Sequence, residues 1–267
     1  MTYNNMTIEK DGPVDWVTFN RPDSLNSLSR EFVRELNDYF GKLETDYETR
    51  VVVLKGAGRM FCAGLDMKDT ERPTTPPENG PTDAGMISQR NFSGIVMRMR
   101  RCPQPIIALI HGYAAGGGFS IALGADVRIA AEGTKMNCAF IKIGLSGCEM
   151  GSSYHLPRLV GTSNAAELLY TGRFIDAERA LRVGLVSEVV PEADLVATGK
   201  ALAADMTATA PLGLRLTKEA FWANVDANDL NSAIAIEDRN QILTSANGDV
   251  AEGIAAFLEK RKPKYAA

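Results

Sequence analysis

The stretch that most constrains this chain is Pro105 to Asp126, PIIALIHGYAAGGGFSIALGAD. Ile106 to Ile110 is an unbroken apolar run of strand length. Such a run suits a strand buried on both faces, as in a parallel sheet covered by helices. Gly112 to Gly118 is a small-residue turn ending in three consecutive glycines, and Phe119 to Leu123 opens a helix. Glycine is costly in backbone entropy, so three together fit a place where another group approaches the main chain. The first N–H groups of a helix have no partner within it and attract negative charge. Two readings follow. The turn serves packing alone, or it is a backbone site for an anion or for a carbonyl oxygen that becomes one.

The same unit, apolar strand then glycine-bearing turn, appears earlier at Val51 to Leu54 followed by Gly56 to Gly64. Ahead of it, Thr7 to Lys10 and Val14 to Phe19 read as a strand pair turning at Asp11 and Gly12. Ser29 can cap a helix with Phe32, Val33, Leu36, Phe40 and Leu43 on one face. The proline-rich segment from Arg72 to Gly85 reads as a mobile loop, and Met86 to Arg101 as a helix. Val127 to Ala130, Lys135 to Asn137 and Val186 to Val190 read as strands. Gly144 to Gly151 is a third glycine-bearing loop. Helices are expected around Leu156 to Val160, Asn164 to Thr171 and Ala177 to Val183. After Pro191 only helical patterns remain: Asp194 to Thr207, Leu212 to Asn224, Leu230 to Ser245 and Asp249 to Lys260. The order predicts an α/β core over residues 1–195 and a helical region over 196–267.

The chain of 267 residues can bury a large core. Its net charge of -4, with no basic block, argues against nucleic acid or an anionic membrane as main partner. Cys62, Cys102, Cys138 and Cys148 show no CxxC pair and no zinc spacing, and two histidines give a metal little to draw on. The cysteines are expected to be reduced. The start has no signal-peptide core and no run reaches membrane-span length. A cytoplasmic location is expected.

Several chemical signatures fail on inspection. Gly56 to Phe61 begins like a dinucleotide fingerprint, but Phe61 stands at the third glycine position and no helix opens on it. Gly118-Phe119-Ser120 approaches the nucleophile elbow of a hydrolase, yet Ser120 lies inside the expected helix and no base is marked beside it. His111 is read as a partner for backbone groups. Glu149, in the loop Gly144 to Gly151, carries two readings: a charge complementing a helix start, or a carboxylate base facing a ligand.

Three segments taken together resemble the crotonase superfamily, the enoyl-CoA hydratases and isomerases. They are Phe61 to Asp66 (FCAGLD), His111 to Gly118 (HGYAAGGG) and Leu156 to Gly161 (LPRLVG). Arg21 to Asn26 (RPDSLN) and Phe257 to Pro263 (FLEKRKP) extend the likeness over essentially the whole chain. The resemblance implies a spiral of repeated ββα units that binds an acyl-CoA, with a C-terminal helical region used in trimers that often pair into hexamers. It implies that two backbone N–H groups, by motif those of Ala63 and Gly117, hold the thioester oxygen as charge develops on it. It implies a CoA groove lined by Ser24, Leu25, Gly64, Leu65, Asp66 and Met67, with Phe257 and Lys260 reaching the CoA of a neighbouring subunit.

The chain departs from the hydratase pattern at two positions. Ser120 and Phe140 stand where the family's hydratases carry glutamates, so both are assigned to the acyl pocket. The position of Glu149 resembles that of the acidic residue used by dienoyl-CoA isomerases as a base and by aryl-CoA dehalogenases as a nucleophile. The resemblance therefore favours double-bond isomerisation with Glu149 as the single carboxylate. An atypical hydratase and a non-catalytic acyl-CoA binder are the alternatives. No cofactor beyond the substrate's CoA is expected, because backbone donors stabilise the charge.

Overall fold

Strands β1 (Met6–Asp11) and β2 (Val14–Phe19) form the expected antiparallel pair around Asp11 and Gly12. The computed structural model describes residues 3–69 and 80–265. Helix α1 (Arg30–Leu43) starts where Ser29 Oγ accepts the Phe32 N–H at 3.2 Å, and all five residues of its expected apolar face are buried. Strand β3 (Val51–Gly56) follows. Helix α2 (Pro81–Arg101) begins five residues before the expected Met86. Proline is favoured in the first helical turn, where its missing N–H costs nothing. Residues 81–85 are therefore helix rather than loop, and positions 72–79 of the expected mobile loop lie outside the described residues.

Strand β4 (Ile106–Ile110) is followed by a second, short strand β5 (Tyr113–Ala115), and helix α3 (Gly117–Gly124) starts inside the glycine triplet. The turn expected as a single bend thus contains a strand. The unit repeats as β6 (Val127–Ala131), β7 (Lys135–Asn137) and helix α4 (Ser152–Thr171), which Gly161, non-helical at φ 76°, divides into two helical segments, in keeping with the two helices expected there. The short β8 (Ile175–Asp176), α5 (Ala177–Arg182) and β9 (Glu188–Val190) close the α/β part. Helices α6 (Leu195–Thr207), α7 (Pro211–Val225), α8 (Leu230–Ser245) and α9 (Asp249–Glu259) complete the chain.

Each ββα unit gives one strand to each of two sheets. The larger sheet has the order β1-β2-β3-β4-β6-β9, parallel after the first pair, and the smaller has the order β5-β7-β8. A parallel bridge from Cys62 to Ala114 adds the segment after β3 to the smaller sheet's edge. Successive units stack in register, Val53 beside Ile107 and Ile107 beside Val127. The apolar runs are continuous because both faces of the large sheet are covered. Val52, Leu54, Ile106 and Ala108 face the core under α1, α2 and α3, while Val51, Val53, Ile107 and Leu109 face a second core that includes Leu195 and Ala203 of α6. At Gly199 of α6 a Cβ would stand 2.8 Å from Leu109, so glycine lets the helix lie flat on the sheet. No described helix is long and apolar enough to cross a membrane.

Candidate active site

The stacked units bring the loop after β3, the start of α3 and the loop before α4 to one side. There they enclose, with α2, a cavity of about 490 Å³. Leu65, Gly117, Phe140 and Glu149 line it, with Gln89 and Phe92 from α2.

The backbone amides can be accounted for one at a time. The Ala63 N–H donates to the Leu25 carbonyl at 3.0 Å, and Ala63 does not line the cavity. The amide expected to hold a thioester oxygen is therefore already engaged. Gly64, at φ +92°, turns the chain, and a Cβ there would stand 2.5 Å from the Ala115 carbonyl oxygen. Leu65 then bridges to Leu28. The Leu28 N–H donates to the Gly64 carbonyl at 2.7 Å, and the Asp66 N–H to the Leu28 carbonyl at 3.1 Å. That bridge uses the neighbours of Leu65 and leaves its own N–H with no acceptor among the described residues. Gly117 is the first residue of α3, where an N–H has no partner within the helix. Its N lies 3.3 Å from where a Cβ on Gly64 would stand, so the two turns touch. The open amides are those of Leu65 and Gly117, and the motif match had placed the first of them two residues too early.

Glu149 is held through its main chain. Its N–H donates to Ser152 Oγ at 3.0 Å, and its carbonyl accepts from Ser120 Oγ at 3.2 Å and from the Ser152 N–H at 2.9 Å. Met150 and Gly151 follow with left-handed φ of 46° and 80° and turn the chain into α4. The half-buried Glu149 carboxylate accepts a hydrogen bond from the side-chain amide of Gln89. Two other acids line the cavity, and both are committed. Asp66 pairs with Arg21 at 2.8 Å, and Asp69 accepts the Arg30 N–H at 2.6 Å. Arg21 and two bonds to Asn26, with further Asn26 bonds to the carbonyls of Ala57 and Met60, tie the N-terminal turn to this loop.

Phe140 lines the cavity, as assigned. Ser120 does not: it is 1% exposed and its hydroxyl is turned to the Glu149 carbonyl, so it acts as a support. Leu65, Asp66 and Met67 form the rim, with Met67 71% exposed. Ser24 and Leu25 sit at a short 3-10 turn outside the lining residues. Phe257 and Lys260 end α9, also away from this cavity, with Phe257 82% exposed. His111 Nε2 lies 2.9 Å from the Gly58 carbonyl, a backbone contact as expected. Gln89 was not foreseen. Only the helical register that puts Gly85, Gln89 and Phe92 on one face of α2 could have signalled it.

Comparison with known proteins bears on this geometry. The enoyl-CoA hydratase/isomerase family model matches residues 9–267. A probable enoyl-CoA hydratase of Mycobacterium tuberculosis is 38% identical over 253 residues, 93% of this chain and 88% of that protein. The 1,2-epoxyphenylacetyl-CoA isomerase of Escherichia coli is 36% identical over 249 residues, 93% of each chain. Among solved structures, the enoyl-CoA hydratase of Bacillus anthracis superposes with a TM-score of 0.89 at 33% identity, covering 98% of this chain and 99% of that one. Fold, sequence and site agree: the chain belongs to the enoyl-CoA hydratase/isomerase family, has the crotonase fold and is an enzyme of that class.

Proposed function

We propose that this protein is an enoyl-CoA double-bond isomerase in which Glu149 carries the proton. The single observation behind this reading is that Glu149 is the one cavity-lining carboxylate not held by a cation or a backbone N–H among the described residues, and it shares the cavity with two open amides. The thioester oxygen of a 3-enoyl-CoA accepts hydrogen bonds from the Leu65 and Gly117 N–H groups. Glu149 takes the α-proton, and the C–H electron pair moves toward the carbonyl to give a dienolate. The charge on oxygen is held by amides already in position, each of which contributes about 3–4 kcal/mol at comparable sites. Glu149 then returns the proton to the γ-carbon, and the electrons fall back to give the 2-enoyl thioester. One carboxylate suffices, and no cofactor beyond the substrate's CoA is needed.

Hydration needs one group to activate water and another to protonate carbon. Ser120 is buried and Phe140 is apolar, which disfavours that route here. Relatives carry both hydratase and isomerase names, so the reaction is decided by experiment. Incubation with 3-enoyl-CoA and 2-enoyl-CoA in deuterated water, with products resolved by mass and NMR, is expected to give the isomer with deuterium at the α- or γ-carbon. Rapid formation of 3-hydroxyacyl-CoA would overturn the isomerase reading. Glu149→Gln is expected to lower turnover by about a hundred-fold or more while the affinity for CoA thioesters stays within two-fold (about 0.4 kcal/mol). Unchanged turnover would remove Glu149 from the mechanism.

The rest of the proposal concerns the setting. Residues 1–195 bind the acyl-CoA, and 196–267 serve oligomerisation as a homotrimer or a hexamer. Large apolar side chains left open on α8 and α9, Leu230 at 74%, Ile242 at 72% and Leu258 at 73% exposure, support a covered face in the assembly. Phe257 and Lys260 then contact a neighbour's CoA. The cytoplasm is the proposed compartment.

A further inference from the structure

The acyl cavity does not end the groove in which it lies. Helix α2 lines it with Gly85, Gln89 and Phe92, then lines a second cavity of about 990 Å³ with Ser93, Val96 and Arg100. Spacings of three and four keep these residues on one face of the helix. The opposite wall runs from Glu149 to Met150, Tyr154 and His155. Among the described residues Met150 alone lines both cavities, and it is 5% exposed. The partition is thus an unbranched side chain with several rotatable bonds.

The second cavity has an excess of uncommitted positive charge. Its acids, Glu44, Glu219 and Asp226, are paired with Arg98, Arg239 and Arg158. Its Lys218 is paired with Asp126 at 3.0 Å. Arg100, Arg101 and Arg215 line it and form no ion pair among the described residues. Arg100 is held by two ring side chains. Its guanidinium lies over the Trp222 ring, 3.1 Å from the centroid, and Nη2 is 3.2 Å from His155 Nδ1. Its Nη1 is buried without an acceptor. A stacked guanidinium is already oriented for planar, two-point recognition of a carboxylate, at little further entropy cost.

We infer that the second cavity is a subsite for the far end of the acyl chain and accepts a thioester whose chain ends in a carboxylate, an ω-carboxyacyl-CoA. Met150 swings aside to join the cavities, and Arg100 pairs with the distal carboxylate. From Gln89 to Arg100 the groove follows eleven residues of helix, about 16 Å at the α-helical rise, so a medium or long chain is required. The inference rests on the acyl-CoA reading above but not on turnover by Glu149.

The test is calorimetric binding of saturated thioesters, which cannot react: butyryl-CoA, lauroyl-CoA and the ω-carboxy counterpart of lauroyl-CoA. The ω-carboxy thioester is expected to bind about ten-fold more tightly than lauroyl-CoA, the range of one charge-assisted contact. Arg100→Met is expected to erase that preference, and Arg100→Lys to keep part of it. Equal binding of the two long thioesters by the unsubstituted protein would overturn the subsite, as would binding of butyryl-CoA alone. Neither result depends on a variant that folds. Failure of all three thioesters to bind would overturn the acyl-CoA reading and the subsite with it.

Discussion

His155 shows how much a single residue's setting can differ from what its sequence position suggests. It is one of only two histidines in the chain. In the structure it is 5% exposed, beside Arg100, and burial followed by that guanidinium pushes its pKa down to about 4 from an ordinary 6.5. It stays neutral, with Nδ1 free to accept from Arg100. The sign of the pH effect follows. Between about 6.5 and about 4 the unfolded chain binds a proton that the folded chain refuses, so stability falls as pH falls through that window. Above it the residue contributes no slope. The loss at the acid end is of order 3 kcal/mol, and urea titrations across the window should show it. His155→Asn is expected to flatten the slope relative to the unsubstituted protein, which also cancels the background from carboxylates. An unchanged slope would place the acid sensitivity elsewhere. At this scale the sequence is a partial guide. Glu149 is singled out by the family resemblance, since its loop alone leaves two readings open. Gln89 and the open amide of Leu65 are not, since each depends on a partner brought from another segment.

At the scale of elements, strands buried on both faces and a well-capped helix such as α1 are legible, because their side-chain patterns follow directly from burial. The short β5 is not. Its three residues, Tyr113 to Ala115, have no apolar run, and only pairing with β7 makes them a strand. The glycine triplet between β5 and α3 is where local sequence and packing meet. A Cβ on Gly118 would stand 2.5 Å from the Cys62 carbonyl oxygen and 2.6 Å from its Cβ, both on the fixed bridge to Ala114. Backbone cannot yield there as a side-chain tip can. Gly118→Ala is therefore expected to destabilise the fold by about 1–3 kcal/mol and to displace the start of α3 with its open amides. Urea midpoints together with thioester affinity read both effects. A variant with unaltered stability would mean that the bridge segment moves freely, contrary to its complete burial at Cys62.

For the whole molecule the question is how the C-terminal helices are held to the spiral. The composition change after Pro191 suggests a separate appendage, but the contacts converge on one partly buried residue of the spiral. Asp126, between α3 and β6, accepts the Ile106 N–H at 2.7 Å, pairs with Lys218 of α7 at 3.0 Å and accepts from the Trp222 indole at 2.6 Å. Lys218 is 7% exposed and also donates to the carbonyls of Met99 and Gln104. The contacts of Lys218 and Trp222 run between segments more than ninety positions apart, so no local pattern could announce them. Removing the carboxylate leaves the buried Lys218 charge with the Met99 and Gln104 carbonyls alone, a loss of up to about 3–5 kcal/mol. Asp126→Asn is expected to cost that much while the slope of the urea transition stays the same, because α7 and the sheet unfold together. The two tryptophans give separate views of it: Trp16 in β2 and Trp222 in α7. Single-tryptophan variants, Trp16→Phe and Trp222→Phe, should report coincident transitions that also match the loss of helical circular dichroism. If the Trp222 signal instead changed at lower urea than the Trp16 signal, the helices would be an independently melting unit and Asp126 a local clasp. Coincidence would mean that the acyl-CoA cavity and the helices behind it are stabilised by one cooperative core, with Asp126 as the joint between them.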